Sequence, residues 1–290
     1  MVEGATLSGI LTLGGTILGT SREKPFKKEE KTAGSGVFTK PDRIRENYRI
    51  LGLDCLVCIG GNGTMKTANL LSQNGMNVIG IPKTIDNDVW GTDMTFGFDS
   101  ALQIATDAID RLHSTANSHR RIMVIEVMGH NTGWLALYAG LAAGGDIILI
   151  PEIPFSKEKV VDCVKTRYAQ KKPYSIVVVA EGIAHDCGRP AATCVAEMIR
   201  QESGFETRET ILGYTQRGGT PSPADRILAT RFGSFAAELI SGGKFGSMVA
   251  VRGNDLVTVP LASAGTKTKT VDPDDQMIRH ARFIGTSFGD

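Results

Sequence analysis

Two short loops, each directly after an apolar run, constrain this sequence most. The first loop reads Gly-Gly-Asn-Gly-Thr at 60–64, and the second reads Pro-Lys-Thr-Ile-Asp-Asn-Asp at 82–88. The apolar runs at 55–59 and 78–81 that precede them are typical of buried parallel strands. Ligands in open α/β sheets bind at the loops that follow the carboxyl ends of such strands. We therefore predict an α/β fold with a ligand site at these two loops.

The residue types in these loops favour phosphate chemistry. Glycines let backbone N–H groups approach an anion, and the pattern at 65–71 predicts a helix whose N-terminus faces the first loop. The second loop supplies carboxylates, a hydroxyl and an ammonium group. Phosphoryl transfer uses this combination, because the protein must position a hydroxyl, hold a metal ion and offset the charge of the moving group.

Apolar runs alternate with helical patterns along much of the chain. Runs that predict strands lie at 54–59, 77–81, 122–127, 147–151 and 174–180. Helical periodicity occurs between them, for example at 100–113 and 136–144. This alternation predicts parallel sheets covered by helices.

Composition argues against several other classes of protein. With 290 residues, 41% of them hydrophobic, and 34 glycines, the chain can form one large or two modest cores with many tight turns. The net charge is +1 and the lysines at 24–31 alternate with glutamates, which argues against a nucleic-acid partner. We also expect no membrane span and no secretory signal, and hence a cytoplasmic protein.

Five cysteines are spread along the chain, and we expect them to be reduced. Cys55 and Cys58 have the spacing of metal ligands, but they lie in the first predicted strand and no second pair matches them. We therefore predict no zinc site. We assign only structural roles to four histidines, which are His113, His119, His185 and His280.

Three further motifs accompany the two loops. They are a segment at 14–22 that opens with Gly-Gly-Thr, the tetrapeptide Glu-Val-Met-Gly at 126–129, and Gln-Arg-Gly-Gly at 216–219. With these motifs in this order, the chain resembles the 6-phosphofructokinases of the phosphofructokinase A family. The resemblance implies two Rossmann-like lobes with mainly parallel sheets, helices on both faces, an active site between the lobes, and a homotetramer.

The same resemblance implies a division into lobes. It assigns residues 1–97 with 216–262 to a donor-phosphate (ATP) lobe, and residues 98–215 with 263–290 to a sugar-phosphate lobe.

The resemblance also implies roles for the loop residues. Asp86 would take the proton from the sugar 1-hydroxyl, and as a carboxylate near its normal pKa it would be a weak base that relies on alignment and charge stabilisation. Asp88 and Asn62 would hold Mg²⁺. Thr84 would hydrogen-bond the transferring phosphoryl group or the sugar hydroxyl, and Lys83 would contact the donor. The donor-binding set is Gly60, Gly61, Asn62, Gly63, Thr64 and Arg22.

On the sugar side, the resemblance places Arg217 at the 6-phosphate of fructose 6-phosphate. Arg121 and Arg208 would reach across from a neighbouring subunit, so catalysis would depend on a homo-oligomer. The remaining residues at sugar-binding positions are Met128, Gly129, His130, Glu181 and Tyr214. His130 and Tyr214 stand where many family members carry arginine and histidine.

Two further departures from the family pattern stand out. The family's opening strand and first glycine-rich phosphate loop have no counterpart, so we expect an N-terminally truncated fold with an incomplete donor lobe and uncovered apolar surface. Asn62 stands where the commonest pattern has aspartate, which removes one negative charge from the metal site.

The resemblance leaves the phosphoryl donor open between two choices. Gly63 leaves room for the α-phosphate of ATP, whereas Lys83 is shared with pyrophosphate-dependent enzymes. We predict transfer from ATP to the 1-hydroxyl of fructose 6-phosphate, giving fructose 1,6-bisphosphate in glycolysis. The alternatives are a pyrophosphate-dependent fructose-6-phosphate phosphotransferase and a non-catalytic sugar-phosphate-binding fragment or subunit.

Overall fold

The computed structural model of the chain describes residues 7–21, 23–26 and 39–290. Arg22, expected at the donor, lies outside the described residues. The strands are β1 (Leu56–Gly60), β2 (Val78–Thr84), β3 (Phe96–Gly97), β4 (Ile122–Val127), β5 (Ile147–Leu149), β6 (Ser175–Ala180), β7 (Thr207–Ile211), β8 (Ser247–Arg252) and β9 (Asp255–Pro260). The helices are α1 (Lys40–Ile50), α2 (Asn62–Gln73), α3 (Phe98–His119), α4 (Trp134–Ala142), α5 (Lys157–Ala169), α6 (Ala191–Ser203), α7 (Pro223–Ser241), α8 (Leu261–Ala264) and α9 (Gln276–Phe283). Short 3₁₀ helices lie at Ile10–Thr12 and Gly213–Arg217.

These strands form two sheets. In the first sheet the order is β1-β2-β8-β9, with β3 paired to the end of β2, and in the second it is β5-β6-β4-β7. The described pairings are parallel except that between β8 and β9, which a turn at Gly253 (φ 56°) connects. The predicted α/β fold with mainly parallel sheets is confirmed.

Alternate residues of the central strands in the first sheet pack against different layers of helices. Val78 of β2 and Met248 of β8 belong to a cluster with α2 and α8. Their neighbours Ile79 and Val249 belong to a second cluster with α7. This is the period-two alternation of strands that are buried on both faces. Helices therefore cover both faces of this sheet.

The second sheet carries the largest hydrophobic core. Its central strands β4 and β6 are buried along their whole lengths. Their side chains join residues of α3, α4, α5 and α6 in one cluster, which also includes Ile278 and Phe288 near the C-terminus. The C-terminal segment thus packs with the second sheet, although it follows the last strand of the first.

Side-chain caps mark where several helices begin. Thr39 and Asp42 form a capping box at α1. The hydroxyl of Ser156 accepts a hydrogen bond from the Lys159 N–H at the start of α5, and Asp275 accepts one from the Met277 N–H at the start of α9. Local sequence therefore fixes these helix starts.

A buried carboxylate ties the first turns of α3 and α7 together. Asp225 is 4% exposed and accepts hydrogen bonds from the Ser100 N–H at 2.8 Å and the Ser100 hydroxyl at 2.5 Å. The hydroxyl of Ser222, which caps α7, donates to Asp99 at 2.5 Å. Because α3 packs in the core of the second sheet and α7 in that of the first, this junction links the two sheets.

Two features of the fold differ from the sequence prediction. Strands β3, β7, β8 and β9 are additional to the predicted ones, and β7 escapes prediction because it is a polar edge strand with the sequence Thr-Arg-Glu-Thr-Ile. The expectation of reduced cysteines is wrong for Cys187 and Cys194, which form a disulfide with their Cα atoms 6.1 Å apart. The loop before α6 turns back on the first turn of that helix and so brings the two thiols together.

The surface carries some uncovered apolar side chains. Edge strand β1 exposes Val57 and Ile59 by 44% and 45%. None of the helices in the described part of the chain has the length and hydropathy needed to span a bilayer.

Replacing Asp225 with alanine should lower the free energy of unfolding by roughly 2–4 kcal/mol, because the N–H and the hydroxyl of Ser100 then lack this acceptor. Urea denaturation monitored by circular dichroism measures this change. Asp162→Ala, on the exposed surface of α5, is the matched control and should change the unfolding free energy little. Equal effects of the two substitutions would show that the α3–α7 junction contributes nothing special to stability.

Candidate active site

The first glycine loop joins β1 directly to α2. Strand β1 ends at Gly60, and Gly61 is the N-cap of α2. A Cβ atom on Gly60 would collide with the side chain of Thr64, and one on Gly61 would lie 3.4 Å from Thr84 Cβ. Glycine is therefore required at position 60 for the tight turn of the loop, whereas a Cβ atom at position 61 would only make an ordinary contact with the second loop. Because the N–H groups in the first turn of a helix lack intrahelical acceptors, the start of α2 can bind an anion.

The second loop turns sharply at Asn87. This residue has φ 51°, in the left-handed region that asparagine tolerates better than most residues. Its side-chain Oδ1 accepts hydrogen bonds from the Thr95 N–H at 3.1 Å and from Lys269 Nζ at 2.9 Å. These contacts fix the positions of Asp86 and Asp88 on either side of the turn.

Lys269 is the residue in this arrangement that sequence reasoning missed. Its ammonium group also donates to the carbonyls of Thr92 at 3.1 Å and Asp93 at 2.9 Å, and its backbone N–H donates to the Asp88 carbonyl at 2.8 Å. Burial lowers the pKa of Lys269 to about 8, against the opposing effect of the carboxylates of Asp93 and Asp88. No local motif surrounds Lys269, so only the fold reveals that it holds the second loop.

Asn62 and Asp88 form a paired oxygen site. Asn62 Nδ2 donates to Asp88 Oδ2 at 2.6 Å, and Asn62 Oδ1 is buried without a hydrogen-bond partner in the described part of the chain. Burial raises the pKa of Asp88, and the charge of Asp86 adds to the rise. A free amide oxygen beside a carboxylate fits Mg²⁺, which prefers hard oxygen ligands.

Asp86 lies between the two sheets with one oxygen held and one free. Thr84 Oγ1 donates to Asp86 Oδ2 at 3.2 Å, while Oδ1 is buried and has no partner among the described residues. Burial raises the pKa of Asp86, the hydrogen bond from Thr84 opposes this, and the Glu181 carboxylate adds to the rise. The expectation of a near-normal pKa for Asp86 is therefore wrong, because the site is more buried than a surface loop.

The ends of β4 and β6 supply the other side of the cleft. Met128 and Gly129 are buried, and the backbone N–H of His130, a residue with φ 54°, donates to Glu181 Oε1 at 2.8 Å. The hydroxyl of Thr132 donates to the Asp86 carbonyl at 3.4 Å. This hydrogen bond joins the loop after β4 in the second sheet to the loop after β2 in the first.

The Gln-Arg-Gly-Gly segment packs beside these loops. Gln216 is buried and its Oε1 accepts a hydrogen bond from the Met128 N–H at 3.3 Å. Arg217 stacks over the exposed ring of Tyr214 with its guanidinium carbon 5.2 Å from the ring centroid, and its charge lowers the pKa of Asp86. A Cβ atom on Gly14 would collide with the Gly219 carbonyl, so the segment that starts at Gly14 lies against this loop.

Arg121 and Arg208 lie elsewhere on the same sheet. They sit at the amino ends of β4 and β7, where both guanidinium groups contact Glu206 Oε1, at 2.9 Å and 2.6 Å respectively. Six residues of β4 separate this end from Met128, a length of roughly 20 Å at 3.3 Å per residue. The structure does not bring these two arginines to the Asp86 cleft of their own chain.

The donor side of the cleft is more open. Gly63 and Lys83 are exposed, and a Cβ atom on Gly63 would meet no atom within 4 Å. An open cleft of about 400 Å³ runs beside α2 and is lined by Ser21, Lys40, Ile44 and Thr67, among others. The cleft meets α2 at Thr67 and Leu71, one turn or more beyond the glycine loop.

The cleft offers three kinds of chemical group: a carboxylate base, a helix N-terminus that can bind an anion, and a pair of oxygen ligands. Asp86 can accept a proton from a hydroxyl, the start of α2 can bind phosphate, and Arg217 can offset negative charge. The loops after β1, β2, β4 and β6 all contribute, as expected where parallel strands end.

Comparison with known proteins agrees with this arrangement. A family described as Phosphofructokinase matches residues 1–240. The ATP-dependent 6-phosphofructokinase 3 of Bacteroides thetaiotaomicron is 55% identical over 287 residues, which cover 98% of this chain and 84% of that protein. A pyrophosphate–fructose 6-phosphate 1-phosphotransferase of Amycolatopsis methanolica is 48% identical over 282 residues, which cover 91% of this chain and 80% of that protein.

A solved structure of phosphofructokinase from Saccharomyces cerevisiae superposes with a TM-score of 0.80 at 30% identity. The match covers 91% of this chain but 38% of the yeast chain, which is much longer. With a family match over most of its length and relatives at about half identity, the chain belongs to the phosphofructokinase family.

Proposed function

We propose that this chain transfers a phosphoryl group from ATP to the 1-hydroxyl of fructose 6-phosphate, giving fructose 1,6-bisphosphate. The observation that carries the proposal is the half-buried Asp86 carboxylate. Its Oδ1 is buried and free, and it lies where the glycine loop of one sheet meets the Glu181 side of the other. A reaction between a hydroxyl and a polyphosphate needs a base at such a junction.

Asp86 is the proposed general base. Thr84 holds Oδ2, so Oδ1 is left to accept the proton of the sugar hydroxyl. A raised pKa strengthens a carboxylate as a base and moves it toward neutral pH, where proton transfer is most effective. The hydroxyl oxygen then bonds to the γ-phosphorus, and the bond from that phosphorus to the bridging oxygen of the donor breaks.

Asn62 and Asp88 are the proposed Mg²⁺ ligands. The free Asn62 Oδ1 and the adjacent Asp88 carboxylate supply the hard oxygen atoms that Mg²⁺ prefers. When bound, Mg²⁺ would supply charge neutralisation at the donor phosphates. The N–H groups at the start of α2, with Gly60, Gly61 and Thr64 in the loop, support binding of the same phosphates.

The donor is proposed to be ATP on two grounds. Open space at Gly63 and the cleft beside α2 leave room for a nucleotide. Of the two relatives described above, the more similar one is named ATP-dependent. Pyrophosphate remains the second candidate, because Lys83 is exposed at the end of β2 and the Amycolatopsis relative is named for that donor.

The sugar phosphate is proposed to bind on the other side of Asp86. Arg217, with Tyr214 stacked against it, would hold the 6-phosphate, and Glu181 would accept hydroxyl hydrogen bonds. Met128, Gly129 and His130 line the same side of the cleft. Residues 1–97 with 216–262 and residues 98–215 with 263–290 would then be the donor and sugar lobes.

Assembly and location are further parts of the proposal. Arg121 and Arg208 lie too far from Asp86 to serve their own chain, which supports a homo-oligomer, with a homotetramer as the proposed form. A cytoplasmic location follows from the proposed glycolytic role.

The direct test is product formation by the purified chain with Mg²⁺, fructose 6-phosphate and either ATP or pyrophosphate, measured by a coupled assay for fructose 1,6-bisphosphate. We expect turnover with ATP and little with pyrophosphate. Turnover with pyrophosphate alone would replace ATP as the donor, and binding of fructose 6-phosphate without turnover would exclude the catalytic proposal for this chain.

Asp86→Asn should lower kcat by roughly 10²- to 10⁴-fold while changing KM for fructose 6-phosphate little, because the amide cannot accept the proton. Asp107→Asn, on the exposed surface of α3, is the matched control and should leave kcat unchanged. A rise in KM with kcat unchanged would assign Asp86 to binding rather than to proton transfer.

Arg208→Ala should raise KM for fructose 6-phosphate about tenfold or more, since a charge-assisted phosphate contact is lost. Mixing this variant with Asp86→Asn, at a fructose 6-phosphate concentration well below the raised KM, tests whether the contact crosses subunits. In a randomly mixed dimer interface, about a quarter of the sites would be intact, because each intact Asp86 can meet an intact Arg208.

Recovery of activity after subunit exchange supports the cross-subunit role, and absence of recovery in confirmed mixed oligomers contradicts it. Arg252→Ala, at the exposed end of β8, is the control and should leave KM unchanged.

Lys269→Met should lower kcat roughly 10- to 100-fold, because Asn87, Thr92 and Asp93 lose the ammonium donor that holds the second loop. The wild type should also lose activity as pH rises through about 8, where Lys269 gives up its proton while facing Asp88 and Asp93. Initial rates across pH measure both effects.

The loss of activity above about pH 8 should be absent in Lys269→Met, because methionine has no proton to lose at that position. Lys267→Met is the matched control, because that exposed lysine stacks on Trp90 and not on the second loop. The same decline in both variants would show that Lys269 does not set it.

A further inference from the structure

A histidine and two cysteines converge in the loop between β6 and α6, and the proposed function uses none of them. One ligand atom from each of His185, Cys187 and Cys194 lies within 4.8 Å of the other two. His185 is exposed, and both cysteines are half-buried. The sequence predicts no zinc site because the earlier pair, Cys55 and Cys58, has no matching partners. The later trio has no standard spacing and meets only through the fold.

The geometry of this trio suits a tetrahedral metal ion. Zinc binds thiolate sulfur at about 2.3 Å and imidazole nitrogen at about 2.0 Å, which places a sulfur and a nitrogen ligand roughly 3.5 Å apart. His185 Nδ1 lies 3.5 Å from Cys194 Sγ. The Cα atoms of Cys187 and Cys194 are 6.1 Å apart, so both sulfur atoms reach the same point.

The surroundings also favour the thiolate form of Cys194 that a metal ion needs. Cys194 lies in the first turn of α6, where the helix N-terminus stabilises a thiolate over a thiol. Arg189 in the same loop forms an ion pair with Glu197, so its charge is offset. Solvent access at His185 leaves a route for the ion and a place for water as a fourth ligand.

We propose that His185, Cys187 and Cys194 form a redox-gated zinc site, which binds the ion as a dithiol and releases it as a disulfide. Reduction by a thiol reductant transfers two electrons to the Cys187–Cys194 bond, giving two thiols and the disulfide of the reductant. Zinc then replaces the two thiol protons, and the neutral His185 ring donates a nitrogen lone pair. A disulfide oxidant then accepts two electrons from the two thiolates and becomes two thiols, which restores the Cys187–Cys194 bond and expels the ion.

Cobalt(II) is a suitable probe, because its bonds to thiolate sulfur give charge-transfer absorption that oxygen ligands do not. We expect the reduced, untagged chain to show this absorption with one equivalent of cobalt, and zinc to remove it. Chain oxidised to the Cys187–Cys194 disulfide should show none. Competition with a chromophoric chelator then gives the zinc affinity.

Cys194→Ser and His185→Ala should each weaken zinc binding more than roughly tenfold, since even changes outside the ligand shell cost about that much. Cys163→Ser, which removes a free cysteine of α5, is the matched control and should bind as the wild type does. Unchanged cobalt absorption in Cys194→Ser, or none in the fully reduced wild type, would overturn the proposal. Circular dichroism of each variant separates loss of the site from loss of the fold.

Discussion

The placement of the two sheets depends on the Asp225 carboxylate at the start of α7. It accepts two hydrogen bonds from Ser100 at the start of α3, in a place where water is excluded. Both donors reach Oδ2, while Oδ1 is buried with no partner among the described residues. Since a buried carboxylate depends on the few donors it has, the contact has one geometry rather than many. Helix α3 packs in the core of one sheet and α7 in the core of the other. The geometry of the contact therefore sets how the carboxyl ends of the strands in the two sheets face each other. The cleft around Asp86 is a consequence.

Within that cleft, several groups are held in ways that do not serve stability alone. Asn87 and His130 adopt positive φ angles, and buried oxygens of Asn62 and Asp86 have no partners among the described residues. Each positive φ angle and each unpartnered buried oxygen costs free energy of folding that an ordinary loop would avoid. Lys269 offsets part of this cost by ordering the turn from a distant segment. Such features are expected at functional sites, where polar atoms are left free to contact a ligand and do not form hydrogen bonds within the protein.

Much of this arrangement could be predicted from local sequence. The apolar runs before Gly60 and Pro82 located two strands and their loops, since buried parallel strands have a recognisable composition. Lys269 could not be found this way, because it acts on Asn87 across 182 residues and has no motif of its own. The trio of His185, Cys187 and Cys194 was missed for a related reason: its members meet by a chain reversal, not by spacing. Burial, which raises the pKa of Asp86, is likewise a property of the fold.

Asn62, which stands where the commonest family pattern has aspartate, changes how the neighbouring Asp88 carboxylate is held. Its amide nitrogen lies 2.6 Å from the Asp88 carboxylate. Aspartate in its place would set two buried carboxylates at hydrogen-bond distance, and they would repel until a cation or a proton separated their charges. The amide instead donates to Asp88 and lowers its pKa, against the effect of burial. Asn62 therefore gives up one negative charge for a metal ion, but it fixes Asp88 in position before any ion binds. On this argument the amide preorganises the proposed site, and the donor phosphates must supply the anionic oxygen that aspartate would have provided.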